Sequence, residues 1–159
     1  MSVDELRSRP AVSADTDTIL ALMQAFYAEE HLVFDEPAAR RAVGELLRRP
    51  EQGTLLLFES AGRVVGHAAL TFGFSLEFHG RFVLLDELFL VPDVRGRGWG
   101  HRALALVETW ARPTPATALR LELNRGNTQA RSLYTAAGFS DDHRDLLTKR
   151  LSTSEPATA

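Results

Sequence analysis

A glycine-rich segment with two arginines, Arg95-Gly96-Arg97-Gly98-Trp99-Gly100, is the part of the sequence best suited to hold a phosphorylated ligand. It lies between an apolar run, which we expect to be a buried strand, and a segment with the apolar spacing of a helix. The first turn of a helix exposes unpaired N–H groups and partial positive charge, and glycines let the backbone approach a ligand closely. The segment therefore predicts a phosphate-binding loop, although a tight connection that needs flexible residues would show the same pattern.

Two known phosphate-binding motifs offer alternatives for this segment. A P-loop needs Gly-Lys followed by Ser or Thr, and the sequence contains no such step. The dinucleotide pattern G-x-G-x-x-G/A is matched by Gly98, Gly100 and Ala103, with Glu122 as a candidate partner for the ribose. That match is weak because residues 92–97 separate the glycines from the strand, and because a single clear strand–helix pair follows. An NAD-dependent oxidoreductase stays open as an alternative, which NAD binding would favour.

The composition is that of an ordinary globular domain. The chain has 159 residues, of which 45% are hydrophobic and 25% charged, so it has enough apolar material for a core. A formal net charge of −3 argues against nucleic acid binding through bulk charge. The absence of cysteine excludes disulfides, thiolate metal sites and cysteine nucleophiles. No apolar run approaches the roughly 20 residues of a membrane span and the N-terminus is charged, so we expect a cytoplasmic protein without a signal peptide or a membrane partner.

The elements that position the glycine-rich segment predict a single mixed α/β domain over residues 1–151. Residues 152–159 are small and polar and are predicted to be a loose tail. A helix is expected after Ser13 or Asp15, and a second one begins with Asp35 as its cap. The other predicted elements are helices after Gly98 and over 128–137, strands at 9–11, 54–59, 63–78, 82–91 and 119–123, and closing strands from Phe139 and 146–151.

Two motifs of the sequence resemble those of the GCN5-related N-acetyltransferase (GNAT) family. The first, a strand ending in Val, a short linker and Arg-x-x-Gly-x-Gly opening a helix, reads Val91-Pro92-Asp93-Val94-Arg95-Gly96-Arg97-Gly98-Trp99-Gly100. The second reads Asn127-Thr128-Gln129-Ala130-Arg131-Ser132-Leu133-Tyr134, followed by Gly138-Phe139. The motifs lie in the family's order and at its usual separation, and the predicted elements fit from Arg9 to Leu151. The resemblance therefore covers nearly the whole chain.

This resemblance implies a central, mostly antiparallel sheet flanked by helices, and acetyl transfer from acetyl-CoA to a primary amine. The diphosphate would rest on backbone N–H groups at the start of the helix, and the pantetheine arm would pair with the strand before it. An N–H near Leu90 or Val91 would meet the oxygen that becomes negative during attack. Asn127 matches the family's CoA-binding asparagine, with a helix cap as its structural alternative. The residues assigned to acetyl-CoA are Phe89, Leu90, Val91, Arg95, Gly96, Arg97, Gly98, Trp99, Gly100, His101 and Asn127.

The resemblance also implies catalytic roles for three ionisable side chains. Tyr134 would protonate the leaving thiolate as a general acid, with a core tyrosine as the structural alternative. An amine with a reference pKa near ~10.4 arrives protonated, so a base must accept its proton directly or through water. Glu122 matches the base of acetyltransferases that act on ribosomal-protein N-termini, and Glu87 matches an acid of the diamine and polyamine acetyltransferases. Both glutamates stay open as candidates for the base, with a slight preference for Glu87. Each could instead be a charged residue at the edge of a strand.

The acceptor side is predicted at the end of the first helix, in the segment that runs from Phe26 to Glu30. Its Tyr-x-Glu-Glu pattern resembles the same region of the diamine and polyamine enzymes, which assigns Tyr27, Glu29 and Glu30 to the substrate. Together with other acids such as Asp86, this pattern predicts a small cationic amine or a peptide amine. A solvated helix end is the structural alternative.

Other chemistry finds little support in the sequence. The five histidines lack the H-x-x-x-H spacing of a metal site, so no metal is predicted. No serine lies in a G-x-S-x-G motif, and no nucleophile stands out, so we expect direct attack of the amine. A non-catalytic CoA-binding sensor or interaction module is the alternative from another class, and a thiol-release assay would decide. A homodimer is common in the family, although the sequence does not show which surface would pair.

Overall fold

The computed structural model describes residues 5–152, which form one five-stranded sheet with helices on both faces. The strands are β1 (Arg7–Pro10), β2 (Gly53–Ser60), β3 (Arg63–Ser75), β4 (Gly80–Leu90) and β5 (Leu119–Leu121), and the helices are α1 (Thr16–Glu29), α2 (Glu36–Arg48), α3 (Trp99–Ala111) and α4 (Thr128–Ala136). The strands lie in sequence order across the sheet. The first four are antiparallel to their neighbours, and β5 is parallel to β4. The predicted mixed α/β fold with a mostly antiparallel sheet is confirmed.

Each face of the sheet carries its own core because successive side chains of a strand point to opposite faces. In β2, Leu55 and Leu57 lie in the cluster that includes residues of α1 and α2. The alternate residues Leu56 and Phe58 lie in the cluster that includes residues of α3. All four side chains are at most 4% exposed, so the sheet is the middle of three layers.

The helix boundaries follow local sequence signals. Asp35 caps α2, since its carboxylate accepts the Ala38 N–H at 3.0 Å, and α4 ends before Gly138 at φ +96°, as predicted. The start of the first helix differs from the predicted cap at Ser13 or Asp15, because a short 3-10 turn over Ser13–Asp15 precedes α1. The carboxylate of Asp15 binds Arg9 at 2.8 Å instead of capping α1.

A β-bulge in β4 decides which of its residues face which helices. Ala69 of β3 lies opposite Glu87, whereas Leu70 lies opposite Leu85, so Asp86 is an extra residue in β4. An extra residue shifts the alternation of side chains by one position. Leu85 consequently lies in the α3 core, while Glu87 points toward α1, where it meets a side chain of that helix.

The strands β4 and β5 separate after a short stretch of parallel pairing. The pairing ends at Leu121, whereas residues 86–90 of β4 continue past it. These residues have a backbone edge that β5 does not cover, and we call it the open edge. Alternate residues of an antiparallel ladder point their N–H and C=O groups to opposite sides. Since the N–H of Val91 binds the Val65 carbonyl of β3 at 2.9 Å, the peptide groups of Leu90 point to the open edge.

The expectation that β3 runs to residue 78 is wrong. It ends at Ser75, and residues 76–79 form a turn in which the His79 N–H binds the Leu76 carbonyl at 3.1 Å. The chain reverses at this turn with His79 in the left-handed conformation, at φ +58°. Phe74 and Leu76 are 74% and 83% exposed, so they belong to neither core.

The closing strands predicted from Phe139 and at 146–151 are also wrong, since residues 139–152 form no strand. Leu146 and Leu147 are adjacent and 68% and 91% exposed, and strand alternation would put them on opposite faces. Of the predicted tail, 152–159, all but its first residue lies outside the described residues. No helix between residues 5 and 152 combines the length and apolarity that crossing a membrane requires.

Candidate active site

The glycine-rich segment connects β4 to α3 as a loop whose glycines face open space. After one 3-10 turn, Pro92–Val94, the backbone is left-handed at Gly96 (φ +81°) and Gly98 (φ +75°). Residues with side chains rarely adopt this conformation, which explains glycine at both positions. Apart from the adjoining residues of the chain, no described atom lies within 4 Å of a Cβ placed on either glycine, and the first turn of α3 holds no acidic residue. The positive end of α3 is therefore accessible to a phosphate group.

The three residues after Gly98 differ in what they can offer a ligand. Trp99 is 7% exposed and packs in the α3 core, so its backbone alone is available. Gly100 permits close packing of α4, because a Cβ there would lie 3.1 Å from Cδ2 of Leu133. His101 is exposed in the first turn of α3. Trp99 and Gly100 can contribute N–H groups to the predicted coenzyme site, and His101 can contribute a side chain.

Arg95 lies across the open edge of β4. Its Nε donates to the Leu90 carbonyl at 2.8 Å, and its guanidinium lies 5.3 Å from the centre of the Phe89 ring. Its Nη2 pairs with Glu29 at 2.9 Å, which links the loop to the end of α1. Of the two N–H groups expected to meet the reacting oxygen, that of Val91 is already bound to β3. The Leu90 N–H is therefore the better candidate.

Glu87 is the centre of a buried hydrogen-bond network. The Tyr27 hydroxyl donates to Oε2 at 2.8 Å, and Nε2 of His67 lies 3.0 Å from Oε1. Glu87 is 8% exposed and His67 is 0% exposed. Burial, followed by the charge of Glu87, raises the pKa of Tyr27, so its phenol stays protonated and remains a donor. The network brings together two residues that the sequence assigned to the site and one, His67, that it did not.

Further acids surround the point where β4 and β5 part. Desolvation raises the pKa of Asp86, and the charges of Glu87 and Glu122 raise it further. Glu122 lies just beyond β5 and is exposed. Both predicted bases therefore lie near the bulge, one buried and one in solvent. The three carboxyl groups, which we call the acid cluster, make this end of the open edge attractive to a cation.

Tyr134 lies on α4, half-buried beside the α3 core, with its ring 5.7 Å from that of Phe139. Burial raises its pKa, and the charge of Glu30 at the end of α1 raises it further. The phenol is therefore protonated near neutral pH, which is the form that a proton donor needs. Glu29 and Glu30 thus lie beside two different parts of the site, Arg95 and Tyr134.

Two more residues are assigned to the coenzyme, Asn127 at the start of α4 and Arg97 within the loop. Asn127 caps α4, since its Oδ1 accepts the Ala130 N–H at 3.0 Å, which is the structural alternative predicted for it. Arg97 lies close enough to Asp93 to help lower the pKa of that carboxyl, although the hydrogen bond from Arg63 at 2.7 Å has the larger effect. The cap occupies the oxygen of Asn127 and leaves its NH₂ group for a ligand.

The dinucleotide alternative fits this geometry poorly. Its first glycine, Gly98, follows β4 only after a 3-10 turn and Arg95, whereas that motif needs a turn directly after the strand. Between α3 and residue 152 there is one short strand, β5, which is too little for a second nucleotide-binding half. Between residues 5 and 152, no three His, Asp or Glu side chains are grouped as metal ligands.

Comparison with known proteins points to one family. Residues 18–139 match the acetyltransferase (GNAT) family. The chain is 30% identical to the aminoalkylphosphonate N-acetyltransferase of Salmonella typhimurium, over 90% of this chain and 89% of that enzyme. An integron cassette protein from a salt-marsh metagenome is 32% identical, with a TM-score of 0.80 over 91% of this chain and 90% of that one. An aminoglycoside N-acetyltransferase solved with CoA shares the fold, with a TM-score of 0.79 at 16% identity over 94% and 97%.

Proposed function

The chain belongs to the acetyltransferase (GNAT) family and is an acetyl-CoA-dependent N-acetyltransferase, and we propose that its acceptor is the primary amine of a small cationic molecule. The observation that carries the proposal is the acid cluster of Asp86, Glu87 and Glu122 at the parting of β4 and β5. Carboxylates at the mouth of a site raise the local concentration of a protonated amine. A small acceptor is also supported by the Salmonella relative, which is named for aminoalkylphosphonates.

The chain has the features that acetyl-CoA needs, and the coenzyme supplies the acetyl group as a thioester. The loop from Gly96 to Gly98 can hold its diphosphate on N–H groups at the start of α3. The open edge can pair with the amide groups of its pantetheine arm, as an added strand would. The Leu90 carbonyl accepts a hydrogen bond from Arg95, so this side chain has to release it before the arm can pair there.

The protons of the reaction are assigned to Glu87 and Tyr134. Glu87 accepts a proton from the ammonium group, directly or through water, which frees the nitrogen lone pair to attack the acetyl carbon. The new C–N bond forms as the C–S bond breaks, and the Leu90 N–H lies on the side where it can stabilise the oxygen that becomes negative. Tyr134 gives its proton to the leaving sulfur, and the second proton that the nitrogen loses on becoming an amide returns to the Tyr134 oxygen, directly or through water.

Glu87 is preferred to Glu122 as the base because of its surroundings. It is held by two hydrogen bonds and nearly excluded from water, so its orientation is fixed and its charge acts in a region of low dielectric. Glu122 is exposed, and water screens its charge. As an exposed carboxylate that lies close enough to Asp86 to raise its pKa, Glu122 is suited to attracting the cationic acceptor.

A thiol-release assay across acceptors tests the substrate class. With acetyl-CoA we expect turnover with diamines, polyamines, lysine analogues or aminoalkylphosphonates, and little or none with peptides whose only amine is the N-terminus. Turnover with the peptides alone would overturn the small-amine proposal. Coenzyme A binding without thiol release from any acceptor would instead favour the non-catalytic sensor.

The first prediction concerns Glu87→Gln and Glu122→Gln, measured as pH–rate profiles of kcat/KM with the best acceptor. We expect Glu87→Gln to lower kcat/KM by about 10²-fold or more and to remove the acidic limb, because the base is lost. Glu122→Gln keeps the acidic limb and raises KM, because it removes one charge that attracts the amine. If the acidic limb disappears in Glu122→Gln and persists in Glu87→Gln, the two assignments must be exchanged.

A further inference from the structure

His67 is a buried titratable residue with no role in the reaction described so far. It lies in β3 with 0% exposure, and its Nε2 is 3.0 Å from Oε1 of Glu87. Two aromatic rings flank the imidazole, with centroid distances of 6.4 Å to Phe26 and 6.2 Å to Phe89. A polar ring in such surroundings needs a partner for each nitrogen, or it costs stability.

The second nitrogen of His67 defines how the ring is protonated. Among the described residues, Nδ1 is buried and has no hydrogen-bond partner. A proton on Nδ1 would leave a buried N–H donor unsatisfied, both in the charged ring and in the Nδ1–H tautomer. In the neutral Nε2–H tautomer Nδ1 is an unpaired acceptor instead of an unpaired donor, and the Nε2–H group points at the carboxylate of Glu87. Within residues 5–152, the hydrogen-bond network therefore ends at His67.

We infer that His67 is a positioning residue for Glu87, an inference that rests on the proposed role of Glu87 as the base. The imidazole donates to Oε1 while the Tyr27 hydroxyl donates to Oε2, so each oxygen of the carboxylate has its own donor. Two donors from different elements, β3 and α1, fix the plane of the carboxylate at the bulge. They also favour its ionised form, which is the form that accepts a proton.

Other carboxyl groups lie near the bulge. The charges of Glu87 and Glu122 raise the pKa of Asp86. Arg95 lies over the neighbouring Phe89 ring, but a glutamate of α1 pairs with its guanidinium. The titratable and charged groups around the carboxylate are thus Tyr27 from α1, His67 from β3, Asp86 from β4, Glu122 beyond β5 and Arg95 from the loop. Loss of one donor should therefore change the pH dependence of the reaction, because one oxygen of the carboxylate loses its hydrogen bond.

The second prediction compares His67→Met, which removes the donor, with His67→Gln, which can place an amide N–H close to the position of Nε2. We expect the acidic limb of the kcat/KM profile to move up by about one pH unit in His67→Met, since a hydrogen bond to a charged group is worth that much. In His67→Gln we expect it to stay near the wild-type position. Tyr27→Phe should shift the limb in the same direction as His67→Met.

A purely structural role gives a different result. Both His67 variants would then lower the melting temperature while the acidic limb stayed in place, and that outcome would overturn the inference. Calorimetry with coenzyme A controls for folding, since we expect both variants to bind it like the wild type. If His67→Met does not fold, ¹⁵N NMR of the wild-type imidazole decides: a proton on Nε2 supports the inference, and the Nδ1–H tautomer, which leaves no donor at Nε2, overturns it.

The test also separates this inference from the proposed function. An acidic limb that persists in Glu87→Gln would show that Glu87 is not the base. The proposed role of Glu87 and the positioning role of His67 would then both fail. A limb that disappears in Glu87→Gln but does not move in His67→Met or Tyr27→Phe would leave Glu87 as the base and overturn the positioning role alone.

Discussion

At the scale of single residues, the two tyrosines of the chain have the same protonation state, but we assign them different roles. Burial raises the pKa of both, so both phenols carry their proton near neutral pH. The hydroxyl of Tyr27 is committed to Glu87 at 2.8 Å. Tyr134 is therefore the phenol that we assign to the leaving thiolate, beside Glu30 at the end of α1.

The third prediction is that Tyr134→Phe lowers kcat by about 10²-fold or more, because the thiolate then leaves without a proton donor. The affinity for coenzyme A should stay nearly unchanged, because the phenyl ring is kept. Phe139→Leu is the matched control, since it alters the ring packed on Tyr134 at 5.7 Å but keeps the hydroxyl. Steady-state kinetics and calorimetry measure both effects. Wild-type turnover in Tyr134→Phe would remove this residue from the mechanism.

At the scale of elements, one extra residue in β4 organises the site. The bulge at Asp86 turns Glu87 toward α1, and just beyond it β4 loses its pairing with β5. The strand thus supplies a carboxylate on one face and an unpaired backbone edge beside it. A β-bulge next to an active site commonly aims a side chain in this way.

Gly66 of β3 supports the end of β4 that forms the open edge. A Cβ at this position would lie 2.2 Å from the Phe89 carbonyl oxygen and 2.8 Å from Cδ2 of Leu90. The backbone of β4 would have to move to accept it. Gly73 is a suitable comparison in the same pair of strands, because its Cβ would lie 2.2 Å from the ring of Phe82, away from the open edge.

The fourth prediction is that Gly66→Ala and Gly73→Ala each lower the free energy of unfolding by about 1–3 kcal/mol through overpacking. Only Gly66→Ala should also weaken coenzyme A binding, because it displaces the open edge. Urea unfolding measures the first effect and calorimetry the second. Equal loss of coenzyme affinity in the two variants would contradict the open edge as the binding surface.

At the scale of the whole molecule, ion pairs join elements that are distant in the sequence. Arg9 of β1 binds Asp15 at 2.8 Å and Glu59 of β2 at 2.7 Å, which ties the edge of the sheet to the start of α1. At the opposite end of α1, Glu29 pairs with Arg95 of the loop. Helix α1 is thereby held at both ends against the sheet that carries the site. The single domain over 1–151 and a homodimer stay predictions.

The fifth prediction concerns acid stability. Hydrogen bonds from Arg9 and from the Val12 N–H lower the pKa of Asp15 from 3.8 to about 2. Because the folded value is the lower one, this carboxylate stabilises the fold above about pH 4, and its contribution is lost as the pH falls toward about 2. In Asp15→Asn, the free energy of unfolding should therefore fall less steeply than in the wild type across that range.

Urea unfolding at a series of pH values measures this slope. Asp17→Asn is the control, since the Asp17 side chain is 87% exposed and its pair with Arg40 is screened by water. We expect this control to keep the wild-type slope. An unchanged slope in Asp15→Asn would show that the Arg9 pair does not contribute to acid stability.

The sequence alone determined the features that depend on neighbouring residues. The cap at Asp35, the stop at Gly138 and the left-handed glycines before α3 are local preferences of backbone and side chain, and the structure has all of them. The mixed fold and the glycine loop between β4 and α3 followed, because such a loop needs only a strand, glycines and a helix in succession, and its binding of the coenzyme stays a prediction. The wrong strand at 146–151 arose from apolar content without the alternation that a half-buried strand requires.

Only the tertiary structure decided how the site is assembled. His67 and Tyr27 lie 20 and 60 positions from Glu87, and they meet it because β3 pairs with β4 in a register that contains a bulge and because α1 packs over that face. A register shift of one residue turns every following side chain to the other face, and no local pattern fixes it. The burial of His67, the exposure of Glu122 and the open edge of β4 all follow from that pairing.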